Sequence, residues 1–390
     1  MEKGEIVARF LKEGYQIDMS AMGYFEATPE KINEFIQKTR AITPQPSIIT
    51  LSFVKNTLNE EESCIKIIKN FFTTHENKKN SISGYSKAFA DIYTKKKQML
   101  MDRVDSAKLL SINKIQKQKE FVIICMVREN DQIEKSAVVE DLTGSTSVYF
   151  KNVPEFENLL ENDVVALLCD SSPNNITARK IVWPDIPLNR EVRKAKRDVY
   201  CIFISDFHMD SENFDKEKYE KFVRLVEETT GKGKYVKTYI FILGGISSKT
   251  KDVRKLFGDL PKETSKIFLR SSKDARIPEY EDVMIFESPV YLEIEGIGFL
   301  LCQNNTMDAM KLVLKRREMI PCAENDHSRT PSKENTIDNP PDIFVSGGSH
   351  SPQTTNYKGV TLITTGDLAD NPIFWGAELE TRETNKLDLS

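Results

Sequence analysis

The spacing of apolar positions changes character several times along the chain, and each change predicts a different kind of element. Near the start, Ile6, Phe10 and Leu11 recur at helical spacing. Thr28-Pro29 forms an N-cap and first-turn pair ahead of Ile32, Phe35 and Ile36, so residues 1–55 are predicted to be a small helical module. Between Asn56 and Gly84 the chain turns polar (NEEES, HENKKNSISG), which predicts a flexible linker, 56–84, around a short helix. Tyr85 to Glu120 reads as a basic helix bearing Lys87, Lys95, Lys96, Lys97, Arg103, Lys108, Lys114, Lys117 and Lys119. From Phe121 the period shortens to two. FVIICMV, SAVVEDLTGSTSVYF, DVVALLCD and ITARKIVW are β-rich runs separated by turn residues, with Leu142-Thr143-Gly144-Ser145 as a hairpin turn. Short strands so closely spaced predict a small β-barrel of the OB type, placing the basic helix and barrel at 85–189.

After Trp183-Pro184-Asp185-Ile186-Pro187 and a basic connector, Arg190 to Arg197, the apolar runs become continuous, as in strands covered on both faces. VYCIFIS, YIFIL (Tyr239 to Leu243) and KIFL (Lys266 to Leu269) alternate with helical patterns such as Tyr219, Phe222, Val223 and Val226. VYLEIEGIGFLLC alternates about Glu295-Gly296 like a hairpin, and DIFV and VTLITTG add strands. The expectation is a layered αβ sandwich over 198–390. The whole chain is then a multidomain α+β protein with a helical module, an OB-type barrel and an αβ sandwich.

Composition narrows the function classes. A chain of 390 residues with 39% hydrophobic content can bury more than one core. A net charge of -4 gives no overall pull towards nucleic acid, so any such contact must be local. The six cysteines form no CxxC pair and several sit in apolar runs, which predicts reduced core residues. The charged, amphipathic start and the lack of any run of membrane-spanning length predict an intracellular protein with no membrane partner.

Candidate chemistry collects just past the strand ends, where functional groups gather in open αβ sheets. Four loops stand there: Asp206-Phe207-His208, Gly244-Gly245, Arg270-Ser271-Ser272-Lys273-Asp274, and Ser346-Gly347-Gly348-Ser349-His350. A carboxylate and an imidazole two apart can reach one point, as metal ligands must. GGISS and SGGS lack the spacing of a nucleotide-binding loop. His75 and His327 lie in polar segments without a partner series.

In its order this series resembles the calcineurin-type, Mre11-like metallophosphoesterases, with D-x-H, G-D, G-N-H-D, a later His, and G-H-x-H. The barrel before it, the WPDIP link and the phrases NPPDIFVSGG and GVTLITTGDL resemble, more narrowly, the small-subunit family of archaeal family-D DNA polymerases, over nearly the whole chain. That family is related to the B-subunits of eukaryotic replicative polymerases.

The resemblance can be followed ligand by ligand. D-x-H stands as Asp206 and His208, and the last His of G-H-x-H as His350, so these three are the candidate metal ligands. The bridging Asp is replaced by Gly245, the Asn of G-N-H-D by Ser272, the later His by Gln303 (with Asn304 the alternative at that place), and the first His of G-H-x-H by Gly348. The His that protonates the leaving group in the family is replaced by Lys273. Every survivor belongs to the first metal's set, whereas two-metal hydrolysis needs both ions. No catalytic residue is therefore assigned, and the chain's own exonuclease activity is expected to be lost or weak. One divalent ion (Mn, Zn or Fe) could use Asp206, His208 and His350, although Asp206 and His208 could equally serve the loop by hydrogen bonding, and an empty or weak site is favoured.

The implied function is a non-catalytic accessory subunit in DNA replication. Its partner would be the large catalytic subunit, with DNA met in the complex and a sliding clamp or primase as further candidates. The setting is the cytoplasm of an archaeal cell, or the nucleus in a eukaryote. Two rival readings stay open: a 3'-5' exonuclease working with one retained ion, and a single-strand-binding module using the barrel and the Lys95–Lys119 stretch.

Overall fold

The structure is a computed structural model. It describes residues 3–40, 48–49, 54, 65–71, 82–116, 119–173, 175–231, 233–277, 280, 282–319, 333–348 and 351–390. Two compact units are present, Met1–Lys66 and Ile67–Ser390.

In the first unit, helices α1 (Lys3–Lys12), α2 (Met19–Ala27) and α3 (Ile32–Arg40) bury Ile6, Phe10, Phe25, Ile32 and Phe35. The rings of Phe10, Phe25 and Phe35 meet at 5.1, 5.3 and 5.9 Å. Asp18 caps α2, its carboxylate accepting from the Ala21 amide at 2.7 Å. Leu11, expected on the buried face, is 58% exposed, because one residue beyond Phe10 turns about 100° around the helix. Two short parallel strands, β1 (Gln16–Ile17) and β2 (Ile48–Ile49), add a sheet element to the expected all-helical module.

The short helix expected within the linker 56–84, between NEEES and HENKKNSISG, is instead a strand, β3 (Ile65–Asn70), which pairs at the edge of a sheet formed by strands much later in the chain. Helix α4 (Ile82–Met101) follows and stops well short of Glu120. Beyond the helix, Asp105 caps a separate 3-10 turn, its carboxylate accepting from the Ala107 amide. After the short β4 (Leu109–Leu110) come β5 (Phe121–Asp131), β6 (Ser136–Asp141), β7 (Gly144–Phe150), β8 (Val164–Ser171) and β9 (Ile176–Val182). They close in the order β5-β6-β7-β9-β8-β5, a five-stranded barrel around Phe121, Ile123, Val139, Val148, Leu167 and Trp183.

The remainder is the expected sandwich. One sheet holds β10 (Val199–Ile204), β11 (Lys237–Ile242), β12 (Ser265–Arg270), β13 (Val283–Glu287), β19 (Ile373–Glu378) and β20 (Thr384–Asp388), in the order β13-β12-β11-β10-β19-β20. The other holds β14 (Val290–Ile294), β15 (Ile297–Gln303), β16 (Ile343–Gly347), β17 (Gln353–Tyr357) and β18 (Val360–Thr364), in the order β17-β18-β16-β15-β14-β3. Alternation along β10 sets the layers. Tyr200, Ile202 and Ile204 pack on α5 (Lys216–Gly231) and α6 (Thr250–Asp259), while Phe203 points the other way to meet Phe241 and, across the sheets, Phe299. Helix α7 (Met307–Arg316) covers the second sheet with Met310, Val313 and Leu314.

Buried charges tie α4 and the barrel to the sandwich. Lys96 of α4 forms an ion pair with Glu318, the two side chains being 1% and 4% exposed. Arg316, at the end of α7, donates Nε to the Asp163 carboxylate at 3.2 Å and lies over the Trp183 ring. Arg317 donates to the carbonyls of Ile337 and Asp185, and burial lowers its pKa to about 10. Lys95 reaches Asp338 at 2.6 Å and Lys108 reaches Glu120 at 2.7 Å. Lys95, Lys96 and Lys108 of the basic stretch are thus paired with acids of the same chain. Cys125, Cys169, Cys201 and Cys302 are buried and in no disulfide among the described residues, and Cys302 Sγ accepts from Asn305 Nδ2; Cys64 and Cys322 lie outside the described residues.

Candidate metal site

Strand β10 delivers Asp206 and His208 to the end of the first sheet. Both residues adopt left-handed backbone, φ +55° and +47°, a conformation that Asp tolerates better than most residues. Backbone pairing extends past the strand ends and holds them there. The Asp206 amide donates to the Gly244 carbonyl, His208 to Gly245 and Met209 to Ile246, all at 2.8 to 2.9 Å. The two side chains converge, with His208 Nε2 lying 3.6 Å from Asp206 Oδ1. Asp206 is largely buried, its Oδ2 has no hydrogen-bond partner among the described residues, and burial raises its pKa against the opposing pull of the Ser205 hydroxyl and His208.

The second loop carries no ligand. Gly244 and Gly245 have φ +77° and +69°, and each is tightly enclosed: a Cβ on Gly245 would lie 2.1 Å from Asp206 Oδ1. An aspartate at 245 therefore fits only if Asp206 moves. In the third loop Ser272 and Lys273 are exposed at the rim of a cavity of about 340 Å³ that Asp206, His208, Gly245, Gln303, Asn304 and Gly348 also line. Arg270 turns aside to pair with Glu287. Gln303 and Asn304 enter from the end of β15, and Gly348 follows β16. His350 lies outside the described residues, as do Ser349, His75 and His327.

Among the described residues, the donor set does not fit a two-ion centre. Gly245, Ser272, Gln303 and Gly348 offer neither a bridging carboxylate nor an imidazole, and among the described residues no group of three His, Cys, Asp or Glu side chains converges to hold a metal. Asp206 and His208 are brought together and could each give one ligand to a single ion.

Two side chains outside the sequence-based ligand set organise the loops. Asp274, 6% exposed, accepts from four backbone amides: Gly245 at 3.1 Å, Ile246 at 2.7 Å, Ser247 at 3.3 Å and Ser271 at 2.8 Å. Its signal in the sequence was an acid three residues past a serine at a strand end, placed to accept back onto the Ser271 amide. Asp210 accepts from the amide and hydroxyl of Ser248, which lowers its pKa.

The chain is similar to proteins named DNA polymerase II small subunit. The one from Archaeoglobus fulgidus is 23% identical over 100% of this chain and 94% of its own length. That from Thermoplasma acidophilum is 24% identical over 73% and 70%, and that from Pyrococcus furiosus 22% over 77% and 59%. No family model matches. Among solved structures, an archaeal phosphodiesterase aligns with TM-score 0.33 and 14% identity over 48% of this chain and 99% of its own. The zinc complex of Vps29 from Entamoeba histolytica aligns with TM-score 0.30 and 13% identity over 49% and 99%.

Proposed function

We propose that this chain, a relative of the archaeal DNA polymerase II small subunits along its whole length, is the accessory small subunit of a family-D-type replicative DNA polymerase. Its work in this reading is to hold and stabilise the large catalytic subunit, with its own phosphoesterase chemistry lost. The single observation that carries the reading is the correspondence with the Archaeoglobus fulgidus small subunit over 100% of this chain and 94% of that one. The barrel and sandwich supply surface for association, which needs none of the metal ligands. DNA is met through the complex, since Lys95, Lys96 and Lys108 are engaged with acids of this chain. A clamp or primase remains a candidate partner for the first unit. Among the described residues no helix is long and apolar enough to cross a membrane, and we assign the work to the archaeal cytoplasm.

The test is co-expression with the large subunit from the same source. A complex that co-elutes through size exclusion, together with a lone small subunit that fails to cleave single-stranded DNA in Mn²⁺, supports the reading. Failure to associate overturns it. The convergence of Asp206 and His208 favours one second reading, a single-ion exonuclease. Mn²⁺-dependent cleavage that disappears in Asp206→Ala would establish that instead.

A further inference from the structure

The loop cluster at the strand ends is packed from within. Three of its glycines stand where any side chain would collide with a neighbouring loop. A Cβ on Gly244 would lie 1.9 Å from Gln303 Nε2, one on Gly245 2.1 Å from Asp206 Oδ1, and one on Gly348 2.6 Å from Asn304 Oδ1. Gln303, Asp206 and Asn304 thus fill the room into which ligands at those places would project.

Gln303 does more than fill space. Its amide nitrogen donates to the carbonyls of Leu243 and Leu269, each at 3.0 Å, using both of its hydrogens. Two acceptors on one nitrogen also settle which way the amide faces. Leu243 follows β11 directly and Leu269 lies in β12, so one side chain from the second sheet clasps two strand ends of the first. An ion at strand ends draws oxygens of separate loops to one point, and an NH₂ group with two donors does the same for these two carbonyls.

We propose that Gln303 is an all-protein replacement for the cross-link that metal ions provide in active phosphoesterases. The loops keep their shape with no cation, and restoring a carboxylate at 245 alone does not restore ion binding, because Asp206 occupies its room. This inference goes beyond the accessory-subunit reading and concerns the chain alone, so it stands or falls independently of association with the large subunit.

The experiment is a thermal melt of the full chain in EDTA and in excess Mn²⁺, with Mn²⁺ uptake measured by equilibrium dialysis, for wild type, Gln303→Glu, Gln303→Met and Gly245→Asp. Wild type is expected to melt at the same temperature in both solutions. Gln303→Glu keeps the shape but turns carboxylate oxygen onto two carbonyls, and lowers the melting temperature by about 5 °C in both solutions. Gln303→Met, which removes the donors without repulsion, lowers it by less. Gly245→Asp is destabilised and takes up no Mn²⁺. The proposal is overturned if EDTA lowers the wild-type melt, if both Gln303 variants melt like wild type, or if Gly245→Asp gains Mn²⁺-dependent stability. Should Gln303→Glu fail to fold, Gln303→Met decides: a lowered melt in both solutions supports the clasp, and a wild-type melt refutes it.

Discussion

Replacing Lys96 by Met removes one half of an ion pair whose side chains are only 1% and 4% exposed. Taking either charge out of water costs several kcal/mol, which the partner offsets only while both are present. Lys96→Met leaves the Glu318 carboxylate buried without its ammonium, and Glu318→Gln leaves the ammonium buried without its carboxylate. Each single change is expected to cost about 3–5 kcal/mol. At roughly 2 °C per kcal/mol for a body of this size, that lowers the melting temperature by about 6–10 °C. The double variant Lys96→Met/Glu318→Gln buries no net charge at that place and should recover about 2 kcal/mol or more relative to the sum of the singles. Urea unfolding of all four chains, followed by circular dichroism and fluorescence, measures the cycle. Single variants costing under about 1 kcal/mol, or a double variant that costs the full sum, would refute the reasoning that a desolvated pair fastens α4 to the sandwich.

Asp274→Asn keeps the side-chain shape but replaces a carboxylate that accepts from four backbone amides with a neutral group having one acceptor oxygen, at a cost of about 2–3 kcal/mol by urea unfolding. A loss below about 0.5 kcal/mol would show that the loops hold themselves. Lys266 is 3% exposed, donates to the Pro261 carbonyl at 2.9 Å, and has its pKa lowered chiefly by burial. With the folded value below the unfolded one, the unfolded chain binds more protons between the two, so this residue makes stability rise with pH across that window. Any advantage of Lys266→Met over wild type is therefore largest at neutral pH and shrinks as pH climbs towards the unfolded value of about 10.4. A difference that is flat or grows with pH, in unfolding curves at pH 7 and pH 10, contradicts this.

Strand periodicity made the barrel and sandwich legible because their runs are short and closely bounded. Leu142-Thr143-Gly144-Ser145 marks the β6–β7 hairpin, and Glu295-Gly296, with φ +54° and +77°, marks the β14–β15 turn. The strand β3 was hidden because its lysine-rich sequence, IKIIKN, carries its meaning only through a sheet whose other strands begin at residue 290. Likewise, the lysines of α4 read as a solvated or phosphate-binding face, since the Glu318 and Asp338 that receive them are more than 200 residues away. At the site, the D-x-H spacing anticipated that Asp206 and His208 meet, and the structure sets Gly245, Ser272, Gln303 and Gly348 around the same cavity. The sequence did not reveal that Gln303 grips two strand-end carbonyls, because which oxygens a glutamine can reach depends on how two sheets stack.

The placement of β10 bears on how the molecule is made. It pairs in parallel with β11, a short distance along the chain, and antiparallel with β19, in a register that joins Tyr200 to Glu378 and Phe203 to Trp375. One flank of this central strand therefore waits on residues synthesised far later, and β20 closes only onto β19. Contacts so distant in sequence pay their loop-closure entropy late, which slows folding and exposes open strand edges meanwhile. A nascent chain halted before Ile373 would present β10 as an unpaired apolar edge. Completion of the first sheet thus has to wait for translation through Asp388, and in-frame truncations that remove β19 should surface as chaperone-bound or aggregated chains rather than as smaller folded ones.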